Sequence, residues 1–324
     1  MAGLYGGPII DAHCHLWDLG MNRHPWLRPT GGAIQALGDL AAIRRNYLVE
    51  DYRRDATNQN VIASVHVEAG WDRADDPLAE IGWLETLDKS SGVAARYIGF
   101  ADLAASGAGA VLDRLSEVRR CVGVRQMLSW HPTDPAKCFA PRPGIADEAD
   151  FRRGVALLTR NHQLLELMLY PYQAEELARL ARDFPDQTFI VNHCGSPIDR
   201  DRDGMLRWRQ GLKLLGSAPN VSIKISALTA YDSSQRQPAL TRRSALCILS
   251  RLIHSVDATR IGAKQRGLLV VREIAGDRLE AIEGRIKARP QATDRKVAGE
   301  YRSIDAKAFD AMKRDLAQAF GRRA

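Results

Sequence analysis

The sequence lacks any apolar stretch that could cross a membrane as a helix. Such a helix needs about 20 predominantly apolar residues, and no run of that kind occurs here. Residues 1–8 also lack the basic stretch followed by an apolar segment that marks a secretory signal. We therefore expect no contact with a membrane and a location in the cytoplasm.

Cysteine is scarce, and its five copies are an odd number. They show neither the spacing of a disulfide framework nor that of a zinc-finger module. Reduced thiols in a cytosolic protein are therefore expected.

The net charge of +7 is distributed unevenly. Residues 1–235 hold 26 Lys and Arg against 29 Asp and Glu, whereas the remaining 89 residues hold 20 against 10. A basic end can bind nucleic acid, but this one has none of the six tryptophans and no nucleic-acid-binding motif. We do not expect nucleic acid as a partner. The basic end is either a solvated helical face or a tail of different sequence origin.

The sequence does contain short apolar, β-branched runs that alternate with stretches of helical periodicity. This alternation indicates βαβ units around a parallel sheet, and a single α/β barrel accommodates 324 residues. An eighth strand, which a closed barrel needs, is expected near residues 259–263, but these residues match the strand pattern poorly. Strands are predicted at 8–15, 61–68, 97–103, 122–128, 164–170, 188–193 and 221–225, and helices at 77–87, 110–118, 148–160, 174–184 and 203–215.

A histidine pair ends the first predicted strand. Alternate residues of a strand share a face, so Asp11, His13 and His15 are expected to point the same way. Two imidazoles at the carboxyl end of a barrel strand can bind one divalent metal, and nitrogen ligands suit zinc. The alternative is two half-buried histidines that cap the strand. His193 ends the sixth predicted strand and would reach the same end of the barrel, unless it simply bonds a backbone carbonyl.

Polar residues at other strand ends are candidates for a substrate pocket: Glu68, Arg125, Gln126, Tyr170 and Lys224. A buried cation in a strand is unfavourable unless it is paired. Arg125 or Lys224 therefore indicates recognition of a carboxylate or a polarised carbonyl, and Lys224 is also a candidate catalytic residue. The alternative is an internal ion pair, for instance Glu68 with Arg125.

Several motifs in order resemble the amidohydrolase-related TIM-barrel hydrolases, which include sugar-acid lactonases and 2-pyrone-4,6-dicarboxylate lactonase. The resemblance covers roughly residues 8–232. The motifs lie at residues 10–18, 22–27, 65–69, 123–126, 169–171, 192–195 and 221–226.

The resemblance implies a distorted (β/α)8 TIM barrel that hydrolyses a lactone or a similar cyclic ester. It implies that His13, His15 and His193 bind a metal or polarise a carbonyl, and that Glu68, Arg125 and Tyr170 line the substrate pocket. Some members of the family use a divalent ion, here expected to be zinc, whereas the pyrone lactonase works without one.

One departure from the family pattern concerns strand 8, which ends in an aspartate in the family. Lys264 stands at that position here, and a protonated lysine would repel a cation and could not act as a base. The resemblance ends near Ser233, so we divide the chain into a barrel body, 1–232, and a divergent basic part, 233–324. Either a frameshift or fusion replaced the end of the barrel, or Asp232 or Asp257 replaces the missing aspartate.

The sequence thus predicts a hydrolase in which an activated water attacks a lactone, with Asp257 as the candidate base and Arg125 as the anchor of a substrate carboxylate. The expected partner is a small carboxylated lactone. The sequence leaves open whether the chain forms a homo-oligomer. One alternative is a metal-dependent decarboxylase with the same barrel. Another is an inactive variant that lacks the strand-8 aspartate.

Overall fold

The computed structural model describes residues 8–28 and 40–227. Within them, seven strands form one parallel sheet in the order in which they occur in the chain. All seven overlap the predicted runs, because each is a short apolar segment buried between the barrel interior and the helices. The strands are β1 (Ile9–Cys14), β2 (Val61–Val67), β3 (Arg96–Gly99), β4 (Cys121–Met127), β5 (Leu164–Met168), β6 (Phe189–Val191) and β7 (Val221–Ile223).

Six α-helices accompany these strands in the described residues, and five of them were predicted. The sequence reading missed α1, a helix of seven residues with only two buried side chains, Val49 and Tyr52. No helix in the described ranges combines the length and the apolar character that a membrane span requires, and the cytoplasmic location stays a prediction. The helices are α1 (Val49–Asp55), α2 (Ala79–Thr86), α3 (Ala108–Glu117), α4 (Ala149–Arg160), α5 (Ala174–Asp183) and α6 (Arg202–Leu215).

The sheet curls until its two outer strands approach each other. The Lys224 ammonium, directly after β7, donates to the carbonyl oxygen of Ala12 in β1 at 2.8 Å. Strands alternating with helices around a curled parallel sheet are the architecture of a distorted TIM barrel. The predicted eighth strand, Asp232, Asp257 and Lys264 lie outside the described residues, and the division between 1–232 and 233–324 stays a prediction.

The helices bury one apolar side each against the sheet. Leu112 of α3, Phe151 of α4, Leu177 of α5 and Trp208 of α6 are almost fully buried in one continuous core. The start of α6 is fixed by Asp201, whose carboxylate accepts a hydrogen bond from the Gly204 amide at 2.7 Å.

Gly154 lets α4 pack directly on the loop that follows β3. A Cβ atom at this position would lie 2.2 Å from the carbonyl oxygen of Leu103, and a backbone atom cannot turn aside as a side chain does. We expect Gly154→Ala to lower the free energy of unfolding by about 2 kcal/mol. Gly82→Ala in α2, where no atom lies within 4 Å, should raise it by up to about 1 kcal/mol through helix propensity. Equal effects of the two changes in urea unfolding would contradict this packing.

Candidate active site

An irregularity in β1 shapes the histidine motif. Asp11 pairs with Ser64 of β2 and Cys14 pairs with His66, so β1 carries one extra residue between these two pairs. The extra residue interrupts the alternation of faces. The Asp11 carboxylate accepts hydrogen bonds from the Tyr52 hydroxyl of α1 at 2.8 Å and from the His13 amide at 3.0 Å. The prediction that Asp11 shares a face with both histidines is therefore wrong. Asp11 instead holds the β1 backbone.

The structure brings the three predicted histidines together. The Nε2 atoms of His13 and His15 lie 3.2 Å apart, and the ring centroids of His13 and His193 lie 4.8 Å apart. The Nδ1 atom of His15 lies 2.7 Å from the carbonyl oxygen of Val67. Because a carbonyl can only accept, the His15 proton lies on Nδ1 and the lone pair of Nε2 faces His13.

His193 stands on a strained turn directly after β6. Both His193 and Cys194 have left-handed backbone conformations, with φ of 54° and 55°, which cost about 1–2 kcal/mol per residue. The turn is held by the Trp208 indole of α6, which donates to the Cys194 carbonyl at 2.7 Å. The Ser226 hydroxyl lies 3.0 Å from Nδ1 of His193. Strain of this kind is typical of functional sites.

The surroundings keep the three imidazoles neutral. Burial and the nearby Lys224 lower the pKa of His13 well below its usual value, and burial and Arg125 do the same for His15. Burial, Arg125 and Lys224 lower the pKa of His193 to about 3. Neutral imidazoles are the form that binds a metal, and the positive charges behind them favour an electron-rich group.

Lys224 belongs to a buried ion pair. Its ammonium binds the Glu166 carboxylate of β5 and faces Nδ1 of His13 at 3.5 Å. The other oxygen of Glu166 accepts from the Asn192 amide at 2.9 Å. Lys224 and Glu166 are each about 1% exposed, so neither charge has access to water. Because an ammonium only donates, this contact favours the His13 tautomer that carries its proton on Nε2.

Glu68 and Arg125 form the internal ion pair that sequence reasoning kept as an alternative. Nε of Arg125 donates to the carboxylate at 2.8 Å, and its Nη2 donates to the Glu68 carbonyl at 2.6 Å. Arg73, from the loop after β2, binds the second carboxylate oxygen at 2.8 Å. Burial alone would raise the pKa of Glu68, but the two guanidinium groups outweigh it and lower the pKa to about 2.

This lowered pKa predicts a specific acid sensitivity. Between about pH 4.5 and 2 the unfolded chain binds a proton at Glu68 that the folded chain does not bind. Stability from this group is therefore present above pH 4.5 and is lost as the pH falls towards 2, by up to about 1.4 kcal/mol per pH unit. The difference in unfolding free energy between wild type and Glu68→Gln should shrink over this range in urea titrations. A difference that does not change with pH would contradict the shift.

The histidine pair fits a metal ion in its spacing and donor atoms. Two nitrogen ligands at about 2.0–2.1 Å from a tetrahedral zinc lie about 3.3 Å apart, close to the observed 3.2 Å between the Nε2 atoms. To bind through Nε2, His13 would have to carry its proton on Nδ1, the nitrogen that faces the Lys224 ammonium at 3.5 Å. Within residues 8–28 and 40–227, no group of three or more His, Cys, Asp or Glu is arranged to hold a metal ion as it stands.

Comparison with known proteins decides the family. The model of the amidohydrolase family matches residues 10–261, more than three quarters of the chain. The chain belongs to the amidohydrolase family. It is an enzyme family, and the curled parallel sheet agrees with it.

Relatives of this amidohydrolase include a protein of Sinorhizobium fredii called y4mH, which is 39% identical over 220 residues, 68% of this chain and 73% of the relative. The L-fucono-1,5-lactonase of Burkholderia multivorans is 29% identical over 237 residues, 71% of this chain and 72% of the relative. A solved amidohydrolase of Burkholderia multivorans with bound zinc has a TM-score of 0.63 at 23% identity and covers 89% of this chain and 94% of its own. A 2-pyrone-4,6-dicarboxylic acid hydrolase of Pseudomonas putida, described as putative, has a TM-score of 0.55 at 16% identity and covers 89% of this chain and 93% of its own.

Two predicted substrate residues of the amidohydrolase donate hydrogen bonds to backbone carbonyls. The Gln126 amide donates to the Ala101 carbonyl. The hydroxyl of Tyr170, a fully buried residue, donates to the Lys137 carbonyl at 2.8 Å. Their contact with substrate stays a prediction.

Three residues beside the site were missed by sequence reasoning. Glu166 could have been found, because it is the one acidic residue in the apolar strand Leu164–Met168. Asn192 lies next to His193 and was visible only as its neighbour. Arg73 lies in a loop with several charged residues, and nothing in the sequence distinguishes it from them.

Proposed function

We propose that this amidohydrolase opens a lactone by adding water to the ring carbonyl. The observation that carries the proposal is the cluster of three neutral imidazoles, His13, His15 and His193, at the carboxyl ends of β1 and β6. The relative that is an L-fucono-1,5-lactonase supports the choice of a cyclic ester.

The proposed reaction needs stabilisation of negative charge on the carbonyl oxygen. As water adds to the carbonyl carbon and gives up a proton, that oxygen becomes an oxyanion. Its collapse breaks the ring C–O bond, and the leaving alkoxide takes up that proton to give a hydroxy acid. The oxyanion would lie against the imidazoles, with the charges of Lys224 and Arg125 close behind them. Fixed charges of a protein site stabilise such an oxygen without reorganising. Asp257 stays the proposed base that takes the water proton, with Asp232 as the alternative.

The same histidines would hold a divalent ion, which we propose to be zinc. Support comes from the 3.2 Å between the Nε2 atoms of His13 and His15 and from the related fold solved with bound zinc. His193 is the third nitrogen donor in reach of this pair. A bound ion would supply Lewis-acid polarisation of the ester carbonyl.

A panel of neutral and carboxylated five- and six-membered lactones tests the proposed reaction. Acid release is followed with a pH indicator, CO2 release is measured in parallel, and the metal content of the purified protein is determined. We expect stoichiometric acid release without CO2, and loss of rate after chelation that zinc restores. CO2 release from unsaturated or aromatic acids without ring opening would replace the lactonase by the decarboxylase. Unchanged turnover after complete metal removal would leave the histidines to polarise the carbonyl directly.

A further inference from the structure

Two arginines share one carboxylate at the end of β2. Arg125 and Arg73 both bind Glu68, each at 2.8 Å to a carboxylate oxygen, and the Gly70 amide adds a bond at 3.0 Å. Neither arginine pairs with a second carboxylate in the part of the chain that the structure describes. The group of two guanidinium ions and one carboxylate therefore keeps a net positive charge.

The surplus charge lies on the outer arginine. The side chain of Arg125 is 5% exposed and that of Glu68 is fully buried, whereas the side chain of Arg73 is 43% exposed. An anion that enters from solvent therefore meets Arg73 first. Within the described residues, Arg73 uses Nη2 for its hydrogen bond to Glu68. Its Nε and Nη1 atoms remain as donors to such an anion.

Phe100 holds the guanidinium of Arg73 in place. The guanidinium carbon lies 3.3 Å from the centroid of the Phe100 ring, and Phe100 directly follows β3. Stacking on an aromatic ring restricts the guanidinium plane, so less freedom is lost when its N–H groups bind a ligand. A planar carboxylate matches two parallel N–H donors of such a plane.

The two-arginine group borders the histidine cluster. The Arg125 guanidinium donates to the carbonyl oxygen of Glu68 at 2.6 Å. His15 is tied to Val67, the residue before Glu68, by its 2.7 Å hydrogen bond. A ligand carbonyl at the histidines would therefore lie near Arg125, and the carboxylate of Glu68 links Arg125 to Arg73.

We propose that Arg73 is a specificity-determining residue that, with Arg125, binds a carboxylate carried by the lactone substrate. The inference rests on the proposed function, since it names the substrate class of the same site. Phe100 acts through Arg73 and is a positioning residue. The preferred substrate is a lactone acid and not an uncharged sugar lactone.

Matched substrates test the role of Arg73 in turnover. Wild type and Arg73→Met are compared on a carboxylated γ-lactone and on its primary carboxamide. The ratio of kcat/KM for acid over amide should fall at least about tenfold in the variant, mainly through KM. Phe100→Leu should lower this ratio about two- to fivefold. Equal losses on both substrates, or no loss, would overturn the inference.

Arg23→Met is the matched control. The side chain of Arg23, in the segment after β1, is 47% exposed and pairs with Asp75, in the loop that holds Arg73, at 3.0 Å. Its replacement removes one surface arginine and should leave the acid-to-amide ratio unchanged. A fall equal to that of Arg73→Met would show a general charge effect and would count against a specific carboxylate site.

A binding measurement separates this inference from the proposed function. Glutarate, a dicarboxylate that cannot be hydrolysed, is titrated calorimetrically into wild type, Arg73→Met and Arg23→Met. Arg73→Met should raise the Kd at least about tenfold, and Arg23→Met should not. If wild type opens no lactone, the proposed function fails while the glutarate result still decides the role of Arg73. Equal Kd values, or no glutarate binding by wild type, would overturn the inference.

Discussion

His13→Ala should lower kcat/KM for lactone opening by about 100- to 1,000-fold. His13 is the central member of the cluster, since its ring lies 4.9 Å from that of His15 and 4.8 Å from that of His193. Removing it takes away one donor to the carbonyl oxygen or one ligand of the ion, and it leaves Lys224 without the ring that it faces. Initial rates on the best substrate of the panel, in metal-supplemented buffer, measure the effect.

The control for this change is His162→Asn. His162 lies between α4 and the amino end of β5, whereas the cluster lies at carboxyl ends of strands. Its φ of 54° is a conformation that asparagine tolerates. The control should keep wild-type turnover, and both variants should melt cooperatively. Turnover by folded His13→Ala within threefold of wild type would contradict a catalytic role for the cluster.

Glu166→Ala should lower the free energy of unfolding by about 3–5 kcal/mol. The change leaves the Lys224 ammonium buried without its carboxylate, and Asn192 without its acceptor. The control is Glu85→Ala, which breaks a 3.1 Å pair with Arg120 in which both side chains are about one-third exposed. An exposed pair of this kind contributes about 1 kcal/mol or less.

A double variant identifies the cause of that loss. Replacing Lys224 by Met together with Glu166 by Leu removes both charges, so most of the lost stability should return. Guanidinium unfolding of the three variants measures this. A double variant as unstable as Glu166→Ala would mean that the loss comes from packing and not from an unpaired charge.

The strands could be predicted because each contains a short apolar run. A parallel sheet covered on both faces requires such runs. The helix α1 was missed because its seven residues hold only two buried positions, too few for a visible period. The convergence of His13, His15 and His193 could be expected from their common place at strand ends.

The partners inside the site could not be predicted in the same way. Lys224 reaches Glu166 of β5 and Ala12 of β1, and this choice depends on the curl of the sheet and on register across three strands. The position of Asp11 relative to the histidines depends on one extra residue in β1. No glycine or other turn residue in the sequence marks this irregularity. Arg73 reaches Glu68 from a loop, and the path of that loop is set by tertiary packing. Contacts across the barrel are set by geometry that a linear pattern does not contain.

The most direct measurement compares His13→Ala, His15→Ala and His193→Ala with the triple variant on one carboxylated lactone. Groups that serve one reacting centre lose their effect together. We therefore expect the triple variant to be within about tenfold of the worst single variant, while each single variant is at least about 100-fold below wild type. Losses that multiply across the three positions, or single variants that keep wild-type rates, would contradict a shared centre.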